Sequence, residues 1–383
     1  MKWEKVKLGE LYEVHNGLSK AGKFFGEGYP FLTFSTVFNN YFIPKQITDL
    51  VQSTEKEQES YSIRRGDVFV TRTSETSDEL GMSCVALKDY PMATYNGFTK
   101  RMRPITNRVF PEYIGYYMRL PSFRGEFRAF STMTTRASLR NEDLLGLEVK
   151  LPSIEIQKQI ADILSAYDDL IENNQKQIKL LEEAAQRLYK EWFANLRFPG
   201  HENTKIVDGV PEEWRKFPLE EIAPVVTGKK DANYGDKGGN YPFFTCSQET
   251  ITAPGYSFDT SAVILAGNGD FNVKLYRGKF EAYQRTYVLA PFDHSNLFNL
   301  YFTVQNNMEA LAKGASGSTI KFLTKGMLQK ILVLTADKKI LDKFNDYEEN
   351  IQQKVEALKK QVEDLTEIRN RLLPKLMSGE VEV

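Results

Sequence analysis

The chain has few of the residue types that usually carry catalysis or bind metal. Its 383 residues include two cysteines, Cys84 and Cys246, which lie in different halves and have no CxxC partner. The three histidines, His15, His201 and His294, have no neighbouring histidine or cysteine. A disulfide framework and a zinc site both need ligands at short, repeated spacings, so neither is indicated. This cysteine usage is typical of a reducing cytoplasm.

Long apolar runs and catalytic signatures are also missing. No segment approaches the ~18 apolar residues that cross a membrane, and the opening MKWEKVKLGEL has no apolar core of a secretory signal. The sequence lacks a GxxxxGK(S/T) phosphate loop, GxGxxG, GxSxG and the Asp/Asn-Pro-Pro-Tyr/Phe signature of amino-methyltransferases. The acidic pairs Asp168–Asp169 and Glu182–Glu183 are expected on solvated helix surface. We therefore predict a non-catalytic chain with no metal and no bound cofactor.

The charge is nearly balanced overall but uneven along the chain. The net charge is −1, yet residues 92–140 contain nine lysines and arginines against only Glu112 and Glu126. Such a local excess is a candidate footprint for a polyanion. A solvated basic face, balanced by acids elsewhere in the fold, is the alternative.

Two short stretches give the first positive signal. Residues 29–35 read YPFLTFS, and residues 241–247, 212 positions later, read YPFFTCS. Further matches between the halves are Trp3 and Leu8 with Trp214 and Leu219 at a separation of 211, RRGDVFVT (64–71) with DTSAVILA (259–266), and NEDLLGLEVKLP (141–152) with TKGMLQKILVLT (324–335) at a separation of 183. The chain is therefore predicted to contain two copies of one unit.

Each copy ends in a long amphipathic segment. Apolar residues recur at alternating steps of four and three, which is the heptad pattern of a coiled coil. The first seam is Ile160, Leu164, Tyr167, Ile171, Asn174, Ile178, Leu181, Ala185, Leu188 and Trp192. The second, 180 positions later, is Ile340, Phe344, Tyr347, Ile351, Lys354, Leu358, Gln361, Leu365, Ile368 and Leu372. A helix of roughly 40 residues with one apolar stripe needs a partner, so the two are expected to pair.

These signals predict an α+β protein of two duplicated, mixed, strand-rich domains separated by an intramolecular antiparallel coiled coil, with pseudo-two-fold symmetry. The predicted segments are residues 1–150 for the first domain, 151–198 for its spacer helix, 199–335 for the second domain and 336–383 for the C-terminal spacer helix. Pro374 is expected to disturb the last turns and Gly379 to end them. Duplex DNA with two half-sites is the leading ligand for such symmetry.

Polar loops beside aromatic residues are the candidate contacts. Arginine and lysine pair with guanine, asparagine and glutamine pair with adenine, and serine and threonine hold phosphates. The candidate DNA-binding residues of the first domain are Lys20, Lys23, Thr36, Asn39, Arg72, Thr73, Arg136 and Ser138. Those of the second domain are Lys229, Lys230, Gln248, Asn268, Arg285 and Ser318. Any one cluster alone is also consistent with an ordinary surface loop.

The helical segments resemble those of a known family. LPSIEIQKQIADIL at the first helix, with Leu151, Pro152, Gln157, Lys158 and Ile160, and IRNRLLPKLMSGEV at residues 368–381 are similar to the specificity subunits of type I restriction–modification systems. The second helix begins TADKKI and departs from this pattern. Because the domains of this family diverge widely, the resemblance rests on the helices and on the duplicated architecture.

The resemblance implies a non-catalytic DNA reader in a bacterial or archaeal cytoplasm that serves host defence. Each domain would read one half of a bipartite, asymmetric target, with the helices setting the spacer. Two methylation subunits carrying S-adenosylmethionine and motor-nuclease subunits using ATP and Mg would be its partners. The alternatives are the recognition subunit of a type IIB-like enzyme, a stand-alone methyltransferase or nuclease, and a coiled-coil adaptor without a DNA role.

Overall fold

The computed structural model describes residues 3–74, 79–128, 137–317 and 321–383. Its contacts divide the chain into two compact units: residues 1–173 with 361–383, and residues 174–360. Both units mix helices and strands, so the predicted α+β class is confirmed.

The first unit is built on a four-stranded antiparallel sheet in the order β2-β9-β5-β7. The strands are β1 (Glu4–Lys7), β2 (Tyr12–Asn16), β3 (Phe25–Leu32), β4 (Leu50–Val51), β5 (Val68–Thr71), β6 (Thr73–Ser74), β7 (Ser83–Val85), β8 (Thr94–Tyr95), β9 (Thr99–Pro104), β10 (Ala137–Ser138) and β11 (Glu148–Leu151). The helices are α1 (Leu8–Leu11), α2 (Phe34–Asn39), α3 (Glu55–Ser60), α4 (Pro111–Tyr117), α5 (Pro121–Arg128), α6 (Asn141–Gly146) and the long α7 (Ile154–Tyr189), with a 3₁₀ turn at Gly22–Phe24.

The second unit is built on a six-stranded sheet in the order β15-β20-β18-β19-β16-β17. The strands are β12 (Ile206–Val207), β13 (Val210–Pro211), β14 (Arg215–Pro218), β15 (Val225–Thr227), β16 (Tyr241–Phe244), β17 (Ile251–Ala253), β18 (Phe258–Ala266), β19 (Val273–Ala282), β20 (Thr286–Leu289) and β21 (Leu332–Thr335). The helices are α8 (Leu219–Ile222), α9 (Leu297–Gly314), α10 (Lys325–Gln329) and the C-terminal α11 (Lys338–Ser378). A π-helical turn at Lys190–Ala194 and 3₁₀ turns at His201–Asn203, Ala232–Tyr234 and His294–Asn296 complete the described elements.

The repeated sequence segments occupy equivalent places in the two units. Strand β1 pairs antiparallel with β11, and β14 pairs antiparallel with β21. Leu8 and Leu219 both begin a four-residue helix, and both are fully buried. The YPF segments form β3 and β16, in which Phe31 and Phe243 are buried and each lies on a parallel strand pair. Apolar residues at equivalent sequence positions therefore form equivalent strand pairs and buried contacts in the two units.

The two YPF strands diverge just after their shared threonine. Thr33 caps α2, because its Oγ1 accepts a hydrogen bond from the Thr36 N–H at 3.2 Å. In the second unit the Thr245 Oγ1 accepts from the Ser247 N–H at 3.2 Å, and a turn follows instead of a helix. The same residue thus starts two different local structures.

The long helices pack antiparallel within each unit. In the first unit, Ile160 and Leu164 of α7 share one core with Leu373 and Leu376 of α11. In the second unit, Tyr189 and Trp192 share a core with Phe344. Helix α11 continues through Pro374 to Ser378, so the predicted stop at Gly379 is confirmed.

The predicted second seam is correct at six of its ten positions and wrong at Tyr347, Lys354, Gln361 and Ile368, because the two seams are separated by 184 residues and not by 180. Tyr347 and Ile368 are 49% and 47% exposed, and Lys354 and Gln361 are exposed as well. The covered stripe is instead Phe344, Glu348, Ile351, Val355, Leu358, Val362, Leu365, Arg369, Leu372 and Leu376. Each of these follows its first-seam counterpart by 184 positions, and β11 and β21 are also separated by 184, not 183. The separation between the two copies is therefore 184 residues both in the strands before the long helices and within the helices.

Asp168 does not lie on a solvated face as expected. The Tyr116 hydroxyl donates to its Oδ2 at 2.6 Å, and Arg369 of α11 forms an ion pair with its Oδ1. Burial, and next the hydrogen bond to Asp168, raise the pKa of Tyr116. The carboxylate therefore joins α4, α7 and α11 in the first unit.

Candidate nucleic-acid interface

One edge of the second unit's sheet gathers most of its predicted contact residues. The Gln284 N–H donates to the Lys230 carbonyl at 2.9 Å, and the Gly267 N–H, next to Asn268, donates to the Arg285 carbonyl at 2.9 Å. The Cys246 thiol donates to that same Arg285 carbonyl at 3.6 Å, which attaches the loop carrying Gln248. Four loops distant in sequence therefore meet around Arg285. Ser318 lies outside the described residues.

The cations at this edge are available to an anionic ligand. Lys229 and Arg285 are exposed, and within the described part of the chain no carboxylate forms a salt bridge with them or with Lys230. The Lys230 ammonium lies 4.4 Å from the centroid of the Tyr234 ring, a cation–π distance. This edge therefore presents positive charge with an aromatic neighbour.

Lys274 is a further cation at this edge, and it is not among the residues predicted from the sequence. Its Nζ donates to the Ser247 carbonyl at 2.8 Å and lies 5.8 Å from the centroid of the Phe244 ring. Burial lowers the pKa of Lys274. It lies inside a regular strand, where no loop signal in the sequence marks it.

The first unit has a corresponding edge, centred on Arg72. The Arg72 N–H donates to the Phe98 carbonyl at 3.0 Å, and the Leu139 N–H donates to the Arg72 carbonyl at 2.9 Å. The backbone of Thr73 pairs antiparallel with that of Ser138. Three of the predicted residues are therefore adjacent, while Arg136 lies outside the described residues.

A β-turn occupies the centre of each edge. In the first unit the Thr99 N–H donates to the Asn96 carbonyl at 3.0 Å, and in the second the Thr286 N–H donates to the Tyr283 carbonyl at 2.8 Å. Each turn also makes one parallel bridge to a preceding loop, Leu18 with Asn96 and Lys230 with Tyr283. Phe98 thus occupies in the first unit the position that Arg285 occupies in the second.

A glycine permits the close approach to each turn. A Cβ on Gly17 would lie 2.1 Å from the Asn96 carbonyl oxygen, and one on Gly228 would lie 1.9 Å from that of Ala282. Neither distance is possible for real atoms, so both positions require glycine. The two edges therefore share backbone construction and differ in side chains.

Two cations lie close together at the first unit's edge. Lys100 is only 5% exposed, and its Nζ donates to the Asn16 side-chain oxygen at 3.1 Å and to that of Asn141. Burial lowers the pKa of Lys100, and the positive charge of Arg72 lowers it further. Among the described residues, the Arg72 Nε is buried without a hydrogen-bond acceptor. An anion brought to this edge would therefore meet two cations that no carboxylate of the described residues neutralises.

The other predicted residues of the first unit have mixed surroundings. Lys20 forms a 2.8 Å ion pair with Glu57 and keeps only 14% of its side chain exposed, so it is already occupied. That pairing lowers the pKa of Glu57. Thr36 hydrogen-bonds to the Thr33 hydroxyl, Asn39 donates to Ser35, and the exposed Lys23 lies 5.2 Å from the centroid of the Phe24 ring. Their roles in DNA binding stay predictions, as do those of the residues around Arg72 and Arg285.

Other kinds of site find no support in the described ranges. No helix there is long and apolar enough to cross a membrane. Over the same ranges, no group of three or more histidine, cysteine, aspartate or glutamate side chains is arranged to hold a metal ion.

Comparison with known proteins agrees with this architecture. The family model described as the type I restriction modification DNA specificity domain matches residues 1–183 and again residues 211–364. The chain therefore belongs to the family of type I restriction–modification specificity subunits, which are DNA-recognition components of restriction systems. The two matches fall on the two copies that the repeats predicted.

Individual relatives show the same likeness. The EcoDI specificity subunit of Escherichia coli is 37% identical over 176 residues, which cover 45% of this chain and 39% of that protein. The MjaIX specificity subunit of Methanocaldococcus jannaschii is 25% identical over 415 residues, covering 100% of this chain and 94% of that protein. The crystal structure of the S subunit from M. genitalium has a TM-score of 0.63 at 16% identity, covering 98% of this chain and 96% of that one. At that identity the structural match concerns the fold alone.

Proposed function

We propose that this chain is the sequence-specific DNA-recognition subunit of a type I restriction–modification complex, and that it catalyses neither methylation nor cleavage itself. Each unit reads one half of a bipartite, asymmetric target. The observation that carries this proposal is the pair of equivalent edges, which have one backbone construction and different side chains around Phe98 and Arg285. Two readers of that kind recognise two different half-sites.

The edges have the chemistry that DNA recognition needs. Arginine can bind guanine through two hydrogen bonds, and asparagine and glutamine can do so with adenine, which corresponds to Arg285, Asn268 and Gln248 in the second unit. Arg72 in the first unit can bind guanine in the same way, and the neighbouring Lys100 suits a phosphate contact that positions the duplex. The length of α7 and α11, 36 and 41 residues, is proposed to set the unspecified spacer between the half-sites.

The start of α7 is the proposed docking surface for a methylation subunit. Gln157 is buried there, where its Oε1 accepts from the Phe110 N–H at 2.8 Å and its Nε2 donates to the Pro152 carbonyl at 3.0 Å. Lys158, the next residue, stays exposed beside the Phe110 ring. A cavity of about 700 Å³, lined by residues that include Arg108 and Ser153, lies at the same place. Gln157 therefore fixes the start of α7 to the first unit, and the exposed Lys158 is available to contact the methylation subunit.

Methylation and motor-nuclease subunits are proposed to supply the chemistry that this chain lacks. Two methylation subunits would supply S-adenosylmethionine, motor-nuclease subunits would supply ATP and Mg, and the assembly would act on DNA in the cytoplasm. A type IIB-like enzyme uses the same reader with a fused nuclease–methyltransferase partner. Co-purification with separate methylation and motor-nuclease chains would favour type I, whereas co-purification with one fused chain would favour type IIB.

Single arginine substitutions test the assignment of half-sites. Arg72→Ala and Arg285→Ala, each in the assembled methylation complex, should weaken discrimination at one half-site only, by about 1–3 kcal/mol per lost base contact. Binding is measured on duplexes carrying base changes in either half-site, at fixed salt. Lys313→Ala, on an exposed lysine paired with Glu309 on α9, is the control and should change neither half-site. Equal loss at both half-sites would contradict the assignment.

A further inference from the structure

The two equivalent turns carry different residues at the same position, and only one of them was a predicted DNA contact. Arg285 stands third in the turn Tyr283–Thr286, and Phe98 stands third in the turn Asn96–Thr99. The carbonyls of both residues accept hydrogen bonds from the strand-end loop, from Gly267 and Arg72 respectively. Phe98 thus has the backbone position that Arg285, a proposed DNA contact, occupies in the other unit.

Phe98 belongs to a turn that is fixed by hydrogen bonds within it and by buried residues on both sides. Its N–H donates to the Asn96 side-chain oxygen at 2.7 Å, and the Thr99 hydroxyl donates to the Asn96 carbonyl at 2.7 Å. Tyr95 and Thr99, on either side of the Asn96–Phe98 segment, are fully buried. The Phe98 residue itself is 57% exposed, and no other ring among the described residues stacks on it. The turn is therefore fixed while the ring is left to solvent.

The surroundings of this ring identify the chemistry of its ligand. Arg72 is bonded to the same turn, and Lys100 lies within the next two residues of the chain. A phenyl ring cannot hydrogen-bond a base edge, but it can contact the C5-methyl group of thymine, the one apolar group that the major groove displays. A single exposed apolar side chain is common on protein surfaces. This one is distinguished by its fixed turn and by its equivalence to Arg285.

We propose that Phe98 determines specificity in the first half-site by contacting the methyl group of a thymine in the major groove. This inference rests on the proposed DNA-recognition function. It makes the two units chemically complementary readers, with an apolar contact at the turn of the first and a guanidinium at the turn of the second.

The test replaces thymine by deoxyuridine, which removes only the methyl group. Duplexes with each thymine of the target replaced in turn are bound to the complete methylation complex carrying the wild-type chain or Phe98→Ala. In the wild type, one position in one half-site should lose roughly fourfold in affinity, the value of one buried methyl group. With Phe98→Ala, thymine and deoxyuridine should bind equally at that position, and the other half-site should be unchanged.

Ile105→Ala is the matched control, since Ile105 is 59% exposed and follows the other end of the same strand, β9. It should retain the thymine dependence. A wild-type complex with sequence preference but no Phe98-dependent thymine position would overturn this inference and leave the proposed function standing. Weakening by Phe98→Ala that is equal for thymine and deoxyuridine would indicate stacking between bases and would also overturn it. A wild-type complex without any sequence preference would overturn the proposed function itself.

Discussion

The two units pack their long helices through different residues at equivalent positions. In the first unit, Ile160 and Leu164 of α7 are buried in an apolar core. Their counterparts in the second unit are Phe344 and Glu348, and both are fully buried. Within the described residues, neither carboxyl oxygen of Glu348 has a hydrogen-bond partner, and burial raises its pKa to about 8. One copy of the scaffold therefore tolerates an acid where the other keeps a leucine.

The helix pairs also differ in what stabilises them. The second unit surrounds Phe344 with four aromatic rings, those of Tyr189, Trp192, Phe193 and Phe302. The first unit instead joins its helices through the Asp168–Arg369 ion pair with the Tyr116 hydroxyl. Aromatic packing buries a large apolar area without charge, and this stabilisation offsets the cost of burying Glu348. The comparison teaches that duplicated helices keep their register while their chemistry diverges.

The largest effect is expected from removing the central ring of the second unit. Phe344→Ala should lower the free energy of unfolding of this unit by about 3–5 kcal/mol, because a buried phenylalanine is replaced by a cavity. Hydrogen exchange of segment 185–193, followed by mass spectrometry, measures the loss. Tyr347→Ala, at the exposed position of the seam predicted from sequence, should cost less than about 1 kcal/mol. If the two variants lost similar free energies of unfolding, Tyr347 would belong to the buried seam, as the sequence predicted.

The acid in the second unit should make its stability depend on pH. The pKa of Glu348 rises from 4.5 to about 8 on folding, so the folded state binds the proton more tightly than the unfolded state does. The stability that this group contributes is present at low pH and is lost as pH rises from about 5 to about 8. Glu348→Leu should remove this dependence and stabilise the unit by about 1–3 kcal/mol near pH 8.

Hydrogen exchange at a series of pH values, corrected for the intrinsic exchange rate, measures this dependence in both units. The segment around Leu164 is the internal control, since no carboxyl occupies the equivalent position there. A wild-type second unit whose stability does not fall between pH 5 and pH 8 would show that Glu348 is not held in the apolar seam.

A smaller effect is expected from the polar link of the first unit. Arg369→Ala should lower the stability of this unit by about 1–2 kcal/mol, because Asp168 keeps its place beside Tyr116 without its cation. Chemical denaturation followed by hydrogen exchange near residue 168 measures the change. Arg371→Ala, on the same helix and paired with Glu367 at an exposed position, should cost about 0.5 kcal/mol or less. A loss equal to that of the control would mean that the ion pair contributes nothing to helix pairing.

The sequence predicted the duplication, both long helices, the covered positions of the first seam and six of the ten positions of the second, but it placed four solvent-exposed residues in that second seam. Heptad periodicity leaves more than one stripe open when apolar residues such as Val355 and Val362 compete with those on the neighbouring stripe. The coincidence of Tyr167 with Tyr347 favoured a separation of 180. The folded second unit shows that the separation is 184 residues, since Val355 is buried there and Lys354 is exposed to solvent.

Most of the candidate interface in the second unit was predicted from the sequence, except Lys274, whereas Phe98 was missed in the first unit. The clusters holding Lys230, Asn268 and Arg285 were found as separate loops, and the fold joins them. Phe98 was missed because its turn reads NGFT where the other reads YQRT, so only the backbone hydrogen bonds reveal that the two turns are equivalent. Such equivalence is a property of strand pairing, which residue identity at a turn does not encode.

The sequence by itself determined the family, the two-copy plan and the α+β class, because apolar periodicity and repeated segments are local and survive in the letters. Tertiary structure decided which stripe of α11 is buried, which loops meet around Arg72 and Arg285, and that a phenylalanine and an arginine share one position. Those outcomes depend on contacts between residues far apart in the chain. Packing density and hydrogen-bond geometry select among arrangements that the sequence pattern leaves equally open.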